Sequence, residues 1–125
     1  MTNIIIVDDD PGVQEAFRYI FDPAKYNITI FSNGMAILRN ESFVPDMYIL
    51  DKQLSGVDGL DICRFLKGQE NTMHVPVIML SASPDIKKLA ALAGADDTVE
   101  KPFAVARLRQ VVSKHTHTNG AATKA

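Results

Sequence analysis

A single cysteine, Cys63, excludes an internal disulfide framework and suits a reducing compartment. No apolar run approaches the roughly 18 residues that a membrane-spanning helix needs. The start, MTNIIIVDDD, lacks the basic-then-apolar layout of a secretory signal. Positive charge is not in surplus either. Thirteen Lys and Arg face fifteen Asp and Glu, a net charge of −2, so no overall basic field is available to hold nucleic acid or an anionic membrane. Any charge-driven function must therefore be local. No internal repeat is evident, and 125 residues leave room for one core and no second domain. These absences, with 46% hydrophobic and 22% charged residues, lead us to expect one soluble, cytoplasmic, globular domain that contacts neither nucleic acid nor membrane directly.

What is present alternates between two periods. Short apolar runs occur at Ile4–Val7, Ile28–Phe31, Met47–Leu50 and Val77–Leu80, with a weaker one around Thr98–Val99. They are mostly β-branched or aromatic and nearly continuous in apolar character. That suits strands of a parallel sheet covered on both faces. Between them lie helical patterns. Asp10 and Pro11 can start a first helix, with Val13, Phe17, Ile20 and Phe21 on one face. A short second helix follows Ser32–Asn33, carrying Ile37 and Leu38 inward. Asp58 can cap a third, with Leu60, Cys63 and Leu66 on one stripe and Gly68 at its end. Ser83-Pro84 opens a fourth, Ile86 to Ala93, closed by Gly94. Phe103 to about Lys114 makes the last, burying Leu108, Val111 and Val112. Five β–α pairs joined by right-handed crossovers predict an α/β, doubly wound, five-stranded parallel sheet with five helices. We place the domain at residues 1–114 and read 115–125 as a polar tail or the start of a linker.

In an open parallel sheet, ligands sit beyond the carboxyl ends of the strands. After the first strand come Asp8 and Asp9; after the third, Asp51; after the fourth, Ser81; after the fifth, Lys101 with Pro102. All share one rim. Two carboxylates about 5 Å apart repel by roughly 3 kcal/mol at an effective dielectric near 20. Asp8, Asp9 and Asp51 together must therefore raise a pKa or recruit cations. Lys101 supplies one charge, and Mg²⁺ suits a site with few protein oxygens because it keeps several waters. Three carboxylates, one ammonium and one divalent ion sum to zero. An anionic Asp51 on an exposed rim can attack a phosphoryl group, Lys101 and the ion can neutralise the transferring oxygens, and the Ser81 hydroxyl can donate a further hydrogen bond.

Asp8-Asp9, Asp51 followed by Gly56 and Gly59, Ser81-Ala82, and GADD followed by Lys101-Pro102-Phe103 form an ordered set. With it, the chain from Ile4 to Val112 resembles the receiver domain of two-component response regulators. The resemblance implies a flavodoxin-like sheet of order 2-1-3-4-5. It implies that Asp51 is the phosphoacceptor, taking phosphate from the phosphohistidine of a sensor histidine kinase or phosphotransfer protein. It implies that Asp9, Asp51 and the backbone carbonyl of Gln53 hold Mg²⁺, with Asp8 reaching the ion mainly through water. Ser81 and Lys101 would engage the phosphoryl group and shift the face formed by the fourth helix, fifth strand and fifth helix. That makes the chain a signalling module acting on a downstream effector protein rather than a turnover enzyme, and a homodimer is compatible with it. Asp10 would only cap the first helix.

Three positions depart from the family pattern. The loop after the acceptor, usually Asp-x-x-Met-Pro, reads DKQLS with Leu54 and Ser55. Thr98 stands where a switch Tyr or Phe is common and is too small to repeat its movement. Gln53 and Ser83 flank the pocket where the family tunes phosphate lifetime. Two other functions compete with the receiver reading. A pseudo-receiver would keep the fold and the contact surface without phosphorylation. A haloacid-dehalogenase-type phosphatase would use Asp8 as nucleophile and Asp10 as acid, but its Asp-x-Asp-x-Thr/Val pattern fails at Gly12. Cys63 and the methionines read as packing, His74 as a loop residue, and His115 and His117 as solvated tail.

Overall fold

Each apolar run becomes a strand and each helical pattern a helix. The computed structural model describes residues 1–54 and 56–124, with side chains as far as Thr116. The elements are β1 (Thr2–Val7), α1 (Pro11–Ile20), β2 (Tyr26–Phe31), α2 (Met35–Leu38), β3 (Met47–Asp51), α3 (Gly59–Lys67), β4 (Val77–Ser81), α4 (Ile86–Ala93), β5 (Asp97–Glu100) and α5 (Val105–Lys124). The strands form one parallel sheet in the order β2-β1-β3-β4-β5. Ile4 lies opposite both Ile28 and Met47, and Leu80 opposite both Asp51 and Val99.

Successive strand residues point to opposite faces, and the two faces sort the core into two clusters. Ile5, Val7, Tyr48, Leu50, Val77 and Met79 pack under α2, α3 and α4 with Leu60, Ile62, Cys63, Leu66 and Ile86. Ile4, Ile6, Met47, Ile49, Ile78, Leu80 and Val99 pack under α1 and α5 with Phe17, Ile20, Leu108, Val111 and Val112. The residues of β3 and β4 are buried throughout, whereas β2 and β5 lie at the edges and stay half open. Each fully buried Ile or Leu contributes roughly 1.5–3 kcal/mol relative to exposure, so the central strands dominate the stability.

The caps anticipated from the sequence are mostly in place. Asp10 Oδ1 accepts from the Gly12 and Val13 amides at 2.8 and 3.3 Å, with Pro11 as the first residue of α1. At the other end of α1, Arg109 Nε donates to the Ile20 carbonyl at 3.0 Å. Asp58 Oδ1 accepts from the Leu60 amide at 2.8 Å and starts α3. Gly94 ends α4 at φ 89°, a left-handed position that glycine tolerates.

Two differences appear near the C-terminus. The last helix starts at Val105 rather than Phe103: the Leu108 amide donates to the Ala104 carbonyl at 3.1 Å, and Phe103 lies ahead of that turn, its ring 5.8 Å from that of Phe17. The expected boundary at residue 114 falls inside α5, which runs to Lys124. His115 is not solvated: its Nε2 lies 3.0 Å from Asp97 Oδ2. The His117 side chain lies outside the described residues. Among the described residues, no helix is long and apolar enough to cross a membrane.

Candidate functional site

The sheet alternation that sorts the core also aims the site. Ile4 and Ile6 lead to Asp8, Met47 and Ile49 to Asp51, and Val99 to Lys101, all continuing the strand face that α1 and α5 cover. The Asp8 carboxylate is fully buried. Its Oδ1 accepts from the Asp10 amide at 2.9 Å and its Oδ2 from Lys101 Nζ at 2.9 Å. The Asp8 carbonyl accepts from Gln14 Nε2 at 2.6 Å, and the same amide reaches Ser32 Oγ at 3.1 Å. Asp51 Oδ1 accepts from the Gln53 amide at 3.3 Å, and its Oδ2 lies 3.2 Å from Lys101 Nζ. Lys101 thus bridges two carboxylates. Its peptide bond to Pro102 is cis.

Ser81 is buried beside them. Its hydroxyl oxygen accepts from the Ser83 amide at 2.9 Å, and its carbonyl accepts from the Lys101 amide at 3.0 Å. Asp9 is only partly covered. Asp8, Asp9 and Asp51 each offer an oxygen within 4.8 Å of the others. A mostly apolar cleft of about 490 Å³ opens next to the carboxylates, walled by Gly12, Val13, Ala82, Lys101 and Phe103.

Burial pushes the Asp51 carboxyl above its ordinary value, and the neighbouring Asp8 charge adds to the rise. Lys101 and the Gln53 amide oppose it. For Lys101, burial acts to lower the pKa. The hydrogen bond and charge of Asp8, then Asp51, outweigh that and hold the ammonium above its ordinary value. Lys101 therefore stays charged while the carboxylates still outnumber the cations around it. That donor set, all carboxylate oxygen with residual negative charge, fits a hard divalent cation such as Mg²⁺.

Asp8, Asp9, Asp51 and Lys101 come together as the sequence suggests, with Ser81 and Gln53 in contact with that group. Asp51 does not stand on an exposed rim. It is 3% exposed, at the floor of a bowl walled by the Asp8–Asp10 turn, the loop after β3 and Lys101. Thr98 lies away from the carboxylates, on β5 between α4 and α5. There it borders clefts of about 260 and 270 Å³ together with Lys87 and Arg107. Asp10 Oδ1 caps α1, the role the sequence gives it. Cys63 is buried, and burial raises its thiol pKa to about 11, so it is a packing residue.

Sequence reasoning did not single out Gln14, whose amide ties the Asp8 turn to β2, or Lys52, whose Nζ lies 3.2 Å from Asp58 Oδ2. Neither residue belongs to a motif. For Lys52, the only signal was opposite charges at the two ends of a short loop.

The family described as response regulator receiver domain matches residues 4–113. The chain is 38% identical over 128 residues to the transcriptional regulatory protein CseB of Streptomyces coelicolor, covering 95% of this chain and 53% of that protein. It therefore spans about half the length of the curated relatives it matches. Among solved structures, it is similar to the signal receiver domain of a signal transduction histidine kinase from Syntrophus aciditrophicus. That match has a TM-score of 0.84 and 30% identity, covering 94% of this chain and 92% of the other. It is also similar to the receiver domain of the sensor histidine kinase PA1611 from Pseudomonas aeruginosa, solved with a magnesium ion in its active site cleft. Here the TM-score is 0.82 with 27% identity, covering 93% and 98%. With its parallel five-stranded sheet and its carboxylates gathered around Lys101, the chain belongs to the receiver domains of two-component response regulators.

Proposed function

We propose that Asp51 accepts a phosphoryl group from the phosphohistidine of a sensor histidine kinase or phosphotransfer protein. The observation that carries this reading is the contact of Asp51 Oδ2 with the Lys101 ammonium, 3.2 Å away, inside a carboxylate cluster suited to a divalent ion. Asp9, Asp51 and the Gln53 carbonyl would hold Mg²⁺, with Asp8 reaching it through water. The magnesium ion in the PA1611 cleft supports the assignment. When bound, the ion supplies positive charge that offsets the charge on the transferring phosphoryl oxygens.

In the transfer, an Asp51 carboxylate oxygen forms the new O–P bond while the P–N bond to the donor imidazole breaks. The bonding pair stays with the imidazole nitrogen, which leaves as histidine. Lys101 stabilises the added negative charge and gives up its share of the Asp51 carboxylate to do so. The Ser81 hydroxyl, which has a proton to donate while its oxygen accepts from the Ser83 amide, reorients toward the phosphoryl oxygen. The β4–α4 and β5 segments follow, and the α4–β5–α5 face presents the change to a downstream effector protein.

A small phosphodonor and intact-mass measurement test the assignment. Wild type with Mg²⁺ gains one phosphate, Asp51→Asn gains none, and removing Mg²⁺ abolishes the adduct. No adduct and no beryllofluoride binding in wild type would favour a pseudo-receiver, the reading to which Leu54, Ser55 and Thr98 lend weight. An adduct kept in Asp51→Asn but lost in Asp8→Asn would favour the phosphatase.

A further inference from the structure

The connection from Lys52 to Asp58 follows the acceptor and carries the Gln53 carbonyl. It contains no proline, and Gly56 sits at φ 87°. With no proline in its sequence, order at the two ends of this connection has to come from contacts. Its neck is fastened. The Leu54 and Gly59 amides both donate to the Lys52 carbonyl, at 3.2 and 3.0 Å, and the Lys52 amide donates to Leu80 on β4 at 2.9 Å. Gly59 makes the closure possible, because a Cβ there would overlap the Asp51 carbonyl oxygen.

A side-chain pair closes the same neck. Lys52 Nζ lies 3.2 Å from Asp58 Oδ2, with the two side chains 17% and 39% exposed. The other oxygen of Asp58 holds the Leu60 amide, so the first turn of α3 fixes where the carboxylate points. Among the described residues, Lys52 has no other ion pair. The cation in contact with Asp51 is Lys101, not Lys52. Although next to the acceptor in sequence, Lys52 is turned to the far end of its own loop.

Resting on the metal-site reading above, we infer that the Lys52–Asp58 pair is a clasp that holds the Gln53 main chain against Asp51 and so sets the Mg²⁺ affinity of the site. Both are positioning residues; neither touches metal or phosphoryl group. The pair orders a main-chain ligand before the ion arrives, so binding need not supply that ordering.

The test is a double-mutant cycle on the 125-residue chain. Lys52→Met removes the cation. Asp58→Asn removes the charge but keeps an oxygen able to cap α3. Mg²⁺ affinity is measured by calorimetric titration, and amide exchange at residues 53, 54 and 57 is measured without metal. Each single variant should bind Mg²⁺ roughly three- to tenfold more weakly, and the double variant no more weakly than the worse single. The loop amides should exchange faster in all three, the metal-free unfolding midpoint should hold, and Lys52→Arg should restore affinity. Unchanged affinities, strictly additive losses, or losses that track the unfolding midpoint overturn the clasp. If wild type itself binds no Mg²⁺, the metal-site reading fails and the clasp falls with it. Wild-type binding with unaltered variants removes the clasp alone.

Discussion

Lys101 Nζ and Asp8 Oδ2 lie 2.9 Å apart across 93 residues of chain, and the Asp8 carboxylate is fully buried. Breaking such a pair leaves an uncompensated charge inside the protein, which costs more than the pair gains. Lys101→Met should therefore lower stability by about 2–4 kcal/mol at neutral pH without divalent metal, read from urea unfolding. Adding Mg²⁺ should return part of the loss, because the ion replaces the missing charge. An unchanged urea midpoint would show that Asp8 does not depend on Lys101.

Asp51 has the opposite relation to stability. Its carboxyl is raised above the ordinary value of 3.8, by burial first and then by Asp8. Between 3.8 and its raised value, the folded protein holds a proton that the unfolded chain has released. Stability contributed by this group therefore falls as pH rises through that window. Asp51→Asn should raise the urea midpoint at neutral pH without metal, and the gain should shrink toward zero as pH drops to the ordinary carboxylate value. Mg²⁺ should remove the gain at neutral pH, since the ion favours the charged carboxylate. A gain that grows on acidification would contradict the sign.

Gly59→Ala probes the neck of the loop after β3. The new methyl would press on the Asp51 carbonyl and the Lys52 Cα, and backbone cannot move aside as a flexible side chain can. A destabilisation of about 1–3 kcal/mol is expected by thermal or urea unfolding. Phosphodonor reactivity should fall with it, because Asp51 is displaced.

Beryllofluoride with Mg²⁺ should change amide exchange along α4, β5 and the start of α5, although position 98 carries no aromatic. Thr98 and Ser81 sit on neighbouring strands, and Lys101 joins β5 to the carboxylates directly. Exchange confined to the Asp8–Asp10 turn and the loop after β3 would count against an output through this face.

The two periods in the sequence were sufficient to locate all five strands and to place Asp8, Asp51 and Lys101 at one sheet edge. Each strand run is short and gives way to a polar residue at its carboxyl end, so that end is visible. Strand order came from the resemblance, because the runs alone do not state which neighbours pair. The depth of Asp51 was not legible either. It depends on how closely the Asp8–Asp10 turn and Lys101 approach, which is tertiary. Lys52 with Asp58 and His115 with Asp97 escaped notice as well. His115 and Asp97 are brought together by packing alone, and for Lys52 and Asp58 the local signal was no more than opposite charges across a short loop.

The adjacent acids Asp96 and Asp97 show what the far end of β5 contributes. Asp96 Oδ2 accepts from Lys67 Nζ and from the Val77 amide, both at 2.8 Å, while Asp97 Oδ2 faces His115 and Lys114 of α5 at 3.0 and 3.8 Å. One aspartate grips α3 and β4, the other α5, so the strand is bolted at its entry to both helical layers. Its exit, at Glu100 and Lys101, is the end that meets the carboxylates. Lys101 thus leaves an edge strand tied behind to both helical layers and in front to β4 through its own amide, so the two carboxylates it bridges are joined through one strand to α3 and α5.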